Sequence, residues 1–397
     1  MTEHEGRKGG RHEGTKDSIV NRQSSIVNRQ SAIRNRQPPI VNRAPRNPRI
    51  LIRGLLCFGV GVSGCVIIPR APDRAQESAL RRRAIEAVKR AVRYEHDSGV
   101  RALGIEVMQK CLGADGLPWL RNALRDDEPV VPFAALLALG TLQDRESYAT
   151  IHAFVHQQDD NLKVAAYYAL HRLGDTSYSA RLPDMLLTHP SSDVRRSAAM
   201  VLGLLGDPQA VKLLARAMKD QDQLVQQEAL EAMASLGNPE AIQQLTFSAS
   251  SGMGFQRVSA INTLAALTDP SLETTFRYKL QEGEYLDTRL AGARALGLLG
   301  IDEGFGIALK ALDFNSPQRD VRRDPPEAQI RRVRQLAAIA LGAIGDRRAL
   351  PVLQRRMNDQ SSPWVQVVAA DAILEILGTD PLAHMSRERR RGQREGA

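Results

Sequence analysis

The chain has 397 residues, 43% of them hydrophobic but only 4% aromatic, and a formal net charge of +9. Such a length suits two or three domains or one elongated array, and an apolar fraction carried by Ala, Leu, Val and Ile suits closely packed helices. The basicity is local: residues 1–64 hold 12 of the 54 Lys and Arg and 4 of the 45 Asp and Glu, leaving 42 against 41, which removes the main electrostatic argument for a polyanion partner.

Residues 18–24 read Ser-Ile-Val-Asn-Arg-Gln-Ser, and residues 25–31 repeat them. Two adjacent apolar residues per heptad cannot make a coiled-coil seam, so residues 1–48 read as a disordered, low-complexity leader. Arg46, Arg49 and Arg53 then precede sixteen uncharged residues, Gly54 to Pro69, a run shorter than the roughly 20 apolar residues of a transmembrane helix. Basic residues, a short apolar stretch and a small-residue cleavage point are the layout of a secretory signal, here residues 49–64. Within it, Val62-Ser63-Gly64-Cys65 resembles the lipobox of bacterial lipoproteins. The resemblance implies a diacylglyceryl group on the Cys65 thiol, cleavage after Gly64, and a membrane anchor. Val66 in place of aspartate after that cysteine favours an outer membrane. So long a leader is unusual before a signal, and translation is expected to begin nearer Val41 or Leu51. Residues 65–76 form a tether. Cys57 lies in the apolar leader and Cys111 on an apolar helix face, which implies no disulfide framework.

A helix over 77–97, with Leu80, Ile85, Val88 and Val92 inward, is expected to cap the front of a repeat array spanning 98–380. The array is marked by a dipeptide whose second residue falls at 113, 143, 174, 206, 237, 268, 300, 345 and 378, a period near 31 interrupted once by a spacing of 45. Eight residues before the landmark stands a small side chain (Ala135, Ala166, Ala198, Ala229, Ala260, Gly292, Ala337, Ala370), and four before it a large apolar one (Leu139, Leu170, Leu202, Met233, Leu264, Leu296, Leu341, Leu374). Val194, Ala198, Val201, Leu202 and Leu205 thus share one face of a helix. Gly206 is expected to end that helix in the left-handed region. Asp207 then reads as N-cap and Pro208 as the first residue of a second helix, burying Ala210, Leu213, Leu214, Ala217 and Met218. Each unit is a helix-turn-helix whose apolar faces only adjacent units can cover. The fold is therefore expected to be all-α, a solenoid of about nine such repeats.

The stretch from Asp193 to Pro208, Asp-Val-Arg-Arg-Ser-Ala-Ala-Met-Val-Leu-Gly-Leu-Leu-Gly-Asp-Pro, resembles the short HEAT-like repeat of phycobiliprotein lyases. The likeness extends over the array, with departures at Gln109, which takes a large apolar position, and at Thr268, which replaces glycine. The basic tail, residues 381–397, reads as disordered.

Lys163, Arg195, Arg257, Arg289 and Arg334 recur eleven before the landmark. Stacked at the repeat period they either grip acidic segments of a partner or pair with turn carboxylates such as Asp193 or Asp222. The insertion at 313–331, with Pro317, Pro325 and Pro326, is a surface loop and a candidate partner contact. Arg81, Arg82, Arg83, Lys89, Arg90 and Arg93 form either a solvated face or one drawn to anionic lipid. His152 and His156 stand four apart, near Asp159, Asp160 and His171, but lack a His-Glu-x-x-His arrangement, and no metal is expected. No nucleophile elbow, phosphate-cradling loop or paired-cysteine motif is visible.

These features point to a lipid-anchored, non-enzymatic scaffold at the bacterial envelope whose concave face binds another protein, with no cofactor and no small-molecule substrate. Two alternatives stand beside it. One is an enzyme resembling phycobiliprotein lyases. The other is a HEAT-like nucleic-acid binder, which needs a basic groove and stacking aromatics where this body offers Trp119 and Trp364.

Overall fold

The computed structural model describes residues 74–251, 254–283, 285–317 and 324–378; the leader, Cys65 with its signal segment, most of the tether and the basic tail lie outside the described residues. The described residues are helical, with no strand. The odd-numbered helices are α1 (Arg74–Val92), α3 (Leu117–Ala123), α5 (Tyr148–Ala153), α7 (Leu182–Thr188), α9 (Ala210–Ala217), α11 (Pro239–Ser251), α13 (Glu273–Glu282), α15 (Phe305–Ala311) and α17 (Leu350–Asn358). Each packs against the even-numbered helix that follows it, and α1 packs as closely on the last of those even-numbered helices. Those are α2 (Ser98–Leu112), α4 (Val130–Leu142), α6 (Asp160–Leu173), α8 (Ser192–Leu205), α10 (Gln223–Ser235), α12 (Gly254–Ala266), α14 (Leu286–Leu298), α16 (Pro326–Ile344) and α18 (Pro363–Leu377).

The landmark residues end the even helices as their spacing predicts. Gly174, Gly206 and Gly345 take φ of 103°, 78° and 75°, and the two non-glycine landmarks, Gln143 and Thr268, also sit at positive φ, 55° and 51°. The turn beyond differs from expectation. Asp207 does not cap an α-helix at Pro208; its carboxylate accepts from the Gln209 amide at 2.9 Å, and the α-helix begins at Ala210. Equivalent turns at Arg145–Ser147, Pro270–Leu272 and Arg347–Ala349 are short 3₁₀ segments. A carboxylate that bonds an amide two residues on holds a turn tighter than an α-helical start.

Small residues set the spacing between layers. A Cβ added to Gly292 would lie 2.8 Å from the Leu280 backbone nitrogen, so α14 rests directly on the backbone of α13. The alanines at the same position are almost wholly buried, as are Leu139, Leu170, Leu264, Leu296 and Leu341 four residues before the landmark. Full burial of such a leucine contributes about 1.5–3 kcal/mol.

In the first repeat the frame moves by one residue. Met108 is fully buried, and an added Cβ on Gly104 would meet the Val92 amide nitrogen at 2.9 Å, so Met108 and Gly104 hold the large and small positions. Helix α2 runs one residue further and passes into a 3₁₀ turn, Gly113–Gly116, instead of an aspartate turn. Gln109 is therefore not a substitution at the large apolar position but lies beside it.

Each even helix packs on the next, and α18 packs on both α1 and α2. The array thus closes on itself: nine hairpins form a ring, and α1, expected as a front cap, also covers the back. Trp364 Nε1 donates to Asp97 Oδ2 at 2.8 Å, and Arg347 meets Glu77 at 3.4 Å, across the join. The even helices make an inner layer. Among their described residues only Asp193, Gln223, Gly254, Phe255, Pro326, Glu327 and Arg331 are exposed, all near helix starts. The concave face is consequently no open groove, because ring closure brings the inner helices together. The expected loop at 313–331 is shorter than its spacing suggests: Pro326 occupies the first position of α16, where its missing N–H costs nothing, and helix takes up the last six residues.

Candidate functional site

Three of the five periodic basic residues, Arg195, Arg289 and Arg334, bind adjoining segments together. Arg195 donates from Nε and Nη2 to the two Asp220 oxygens at 2.7 and 2.9 Å, and from Nη1 to the His189 carbonyl at 2.7 Å. Arg289 and Arg334 donate to the carbonyls of Leu280 and Phe314, each at 3.0 Å. The Leu280 carbonyl lies in the last turn of its helix, where carbonyls have no intrahelical donor and carry the negative end of the macrodipole. Phe314 lies in the turn beyond its helix, and in both cases a guanidinium from the next helix supplies the donor. Lys163 pairs locally with Asp160 at 2.7 Å, and the Arg257 guanidinium lies 5.4 Å from the Tyr285 ring. Neither Asp193 nor Asp222 holds Arg195: Asp193 pairs with Arg196, and Asp222 accepts the Leu224 amide at the start of α10. In the corrected frame Arg101 joins the series, bonding both Asp126 oxygens at 2.8 Å and the Tyr94 carbonyl at 2.9 Å. Arg101 and Arg195 reach carboxylates 25 residues downstream in both cases, a spacing visible in the sequence.

A second constellation lies at the ring closure. Lys110 Nζ stands 2.6 Å from Asp371 and 3.1 Å from Glu375, and the Cys111 thiol donates to Asp371 at 3.4 Å. Burial works against the Lys110 ammonium, but the two carboxylates outweigh it and hold Lys110 above the ordinary lysine range. Burial first, then Asp371, push the Cys111 thiol up, so it remains a protonated donor and not a nucleophile. Burial likewise raises the Asp371 carboxyl against the pull of Lys110. In other repeats the positions of Asp371 and Glu375, seven and three before the landmark, are filled by residues such as Leu136 and Gly140 that pack on the next helix. In the last repeat these acids face the first repeat, where Lys110 pairs with them.

The inner layer also carries a polar line that the apolar pattern hides. Arg294 Nη1 donates to Asn262 at 2.7 Å, and Gln227 and Ser259 both donate to Glu231. Glu231, Asn262 and Arg294 stand six before successive landmarks, the one signal that could have found them.

His152 and His156 contact each other edge to face, with ring centroids 5.7 Å apart, and His152 Nε2 bonds Tyr178 Oη at 2.8 Å. Among the described residues no group of three His, Cys, Asp or Glu could hold a metal ion. No described helix is long and apolar enough to cross a membrane. On α1 Arg82, Arg83 and Arg90 are exposed, and just past its end so is Arg93, whose guanidinium lies 3.9 Å over the Trp119 ring. The exposed large hydrophobics among the described residues are Tyr148, Phe247, Phe255, Tyr278 and Tyr285; Tyr148, Phe247 and Tyr278 stand on odd-numbered helices, Phe255 and Tyr285 at the starts of α12 and α14.

Comparison with known proteins agrees with this architecture. Residues 117–188 and 179–251 match HEAT repeats, and residues 333–359 match the PBS lyase HEAT-like repeat. No curated protein matches the chain. Among solved structures, the complex of CpcE and CpcF of phycocyanin lyase from Nostoc aligns at 17% identity and TM-score 0.37, covering 63% of this chain and 97% of that one. Human deoxyhypusine hydroxylase aligns at 16% identity and TM-score 0.35, covering 77% and 99%. Kap121p bound to Nup53p aligns at 12% identity and TM-score 0.31, covering 74% and 37%. The family matches show HEAT repeats in the chain, and its described residues form an all-α solenoid.

Proposed function

We propose that this protein is a lipid-anchored, non-enzymatic scaffold that binds another protein at the bacterial cell envelope, held to an outer membrane through Cys65. The observation that carries the protein-binding part is the distribution of exposed apolar surface. With the inner helices enclosed along most of their length, the partner seats on the outer helices and on the exposed starts of the inner ones, where the exposed aromatic side chains stand. Aromatic residues are enriched where interfaces form, and a monomer gains nothing from leaving them in water. The anchor rests on the lipobox-like Val62-Ser63-Gly64-Cys65 behind its basic and apolar segments. A short tether then leads into α1, whose exposed arginines suit a surface of anionic headgroups. Stable anchoring takes more than one acyl chain, which acylation of a new amino terminus would supply.

Two measurements test this reading. Metabolic labelling with a fatty-acid analogue, compared with Cys65→Ser, is expected to mark only the wild-type chain and move the variant out of the membrane fraction. Affinity capture with the form beginning after Gly64 is expected to retrieve one envelope protein in fixed proportion. A clean preparation with no partner, or an unchanged fraction for Cys65→Ser, removes the corresponding half of the proposal.

A further inference from the structure

We propose that the outward side of α1 and its end, carried by Arg82, Arg83, Arg90 and Arg93, is a membrane-contact site for the headgroups of anionic phospholipid, which sets the ring on the bilayer with its seam down. This rests on the anchored-scaffold reading and gives the molecule an orientation.

The 3.6-residue turn puts these four arginines on one side of the helix, while Leu80, Ala84, Val88 and Ala91 are buried where α1 packs on α2 and α18. All four are exposed, and none forms an ion pair among the described residues. The one acid on this side, Glu86, stands four residues from both Arg82 and Arg90, the spacing of a helical ion pair, yet it meets Lys89 at 2.9 Å. Arg90 and Arg93, three apart, repel each other. The outer helices on either side of α1 compensate arginines of their own: Arg121 on α3 meets Asp144 and Glu146, and Arg356 on α17 meets Asp313 and Asp359.

Reach and chemistry select the occupant. Arg74 opens α1 nine residues after Cys65, and nine residues extend at most about 30 Å, little more than the roughly 28 Å length of α1 itself. A bilayer holding acyl chains on Cys65 is therefore within reach of the whole stripe. The Arg93 guanidinium stacks 3.9 Å over the Trp119 ring, and the Lys89 ammonium lies 5.8 Å from it. Stacking occupies a face of the guanidinium and leaves its N–H edge for phosphate oxygens. A partly exposed indole suits the boundary between headgroups and acyl chains. A nucleic acid needs a continuing basic groove, whereas the neighbouring Arg121 and Arg356 are already neutralised. Docked through α1, the ring carries its sixth hairpin, α11 and α12, on the far side. Phe247, 70% exposed, then faces away from the membrane, towards a protein partner. The contact is salt-sensitive and adds to the acyl chains, so it orients an anchored chain without retaining an unanchored one through fractionation.

The experiment uses the full-length chain carrying Cys65→Ser, at low salt, with vesicles of phosphatidylcholine alone or mixed with brominated phosphatidylglycerol; brominated phosphatidylcholine serves as the neutral comparison. In a Trp364→Phe background Trp119 is the sole tryptophan, so its quenching by bromine reports contact at the stripe. Quenching is expected with the anionic vesicles only, fading as salt rises. Arg82→Gln, Arg83→Gln, Arg90→Gln and Arg93→Gln together should weaken vesicle binding about tenfold or more while keeping the unfolding midpoint. Should that variant fail to fold, Arg83→Gln with Arg90→Gln is expected to change binding in the same direction. Removing equal charge elsewhere, by Arg125→Gln, Arg145→Gln, Arg181→Gln and Arg216→Gln, should leave the quenching in place. Binding without quenching, equal quenching by neutral vesicles, or equal loss in the two fourfold variants overturns the site. Release by inorganic phosphate at the concentration of lipid phosphate, or tighter binding to single-stranded DNA, overturns the bilayer as occupant. A wild-type chain that takes up no fatty-acid label, beside a quenched Cys65→Ser chain, sinks the anchor and supports this site; a labelled wild-type chain with no quenching sinks the site alone.

Discussion

At the residue scale the repeat is written in backbone conformation. The positive-φ residues among those described are the nine landmark positions themselves, seven glycines with Gln143 and Thr268. A left-handed residue with a Cβ costs roughly 1–2 kcal/mol that glycine avoids. Gln143 is exposed and ends α4 at φ 55°, ψ 44°. Gln143→Gly is therefore expected to stabilise the protein by about 0.5–1 kcal/mol, read as a higher urea midpoint with unchanged slope. A midpoint that stays or falls contradicts the assignment. The landmarks were legible because few other residue types tolerate this conformation. The basic series was legible as a period but not in its role, because a backbone carbonyl has no letter in the sequence. Nothing in the letters says that Arg289 reaches the Leu280 carbonyl, and a one-residue change of frame removed Arg101 from view.

At the scale of elements, stability concentrates in the bonds that tie outer to inner helices. Arg195 and Asp220 bury their side chains to 7% and 9% exposure. Arg195→Met strands a covered carboxylate and two turn carbonyls, and is expected to cost about 3 kcal/mol, whereas Arg195→Met with Asp220→Leu should recover much of it. A double variant no better than the single would show that the carboxylate is not what the arginine answers. The same bonds predict a pH dependence. Arg195 holds Asp220, and Arg121 holds Asp144, below the usual carboxylate range. A folded-state pKa below the unfolded one means that this stabilisation is complete above about pH 4 and is lost as pH falls through the folded values. Burial, then Arg172, hold His171 below the usual histidine range, so its contribution begins to decline earlier, below about pH 6.5. Thermal midpoints in low salt should thus decline in two stages on acidification, with His171→Gln removing the earlier one. A single stage unaffected by that substitution would contradict the placement of His171 beneath its neighbours.

At the scale of the whole molecule the consequential feature is closure. Polar residues on the last helix of a solenoid ordinarily read as a cap towards water, and Asp371 and Glu375 fit that reading as far as sequence goes. Their partner is Lys110, 261 residues before Asp371, and no local pattern links them. What decides between cap and closure is the accumulated curvature of nine units, a small rotation per repeat that side-chain types do not specify. Closure also relocates function, for an open solenoid offers its concave face while a ring offers its rim and outer wall. A buried pair broken on one side costs about 3–5 kcal/mol, and its replacement by apolar side chains is often neutral. Lys110→Met, which leaves two covered carboxylates facing each other, should therefore separate α18 from α1 and α2 before the repeats themselves unfold. Lys110→Met with Asp371→Leu and Glu375→Leu should close the ring again. Trp364 reports the join, being 7% exposed and bonded to Asp97 across it, and in a Trp119→Phe background it is the sole tryptophan. The single variant is expected to shift its emission to the red and enlarge the radius of gyration in solution scattering, with helical circular dichroism retained. The triple variant should reverse both changes. Should Lys110→Met leave emission and radius as they were while the protein remains folded, the join is held by the apolar contacts of α18 alone, and the buried charges do not control whether the ring stays shut.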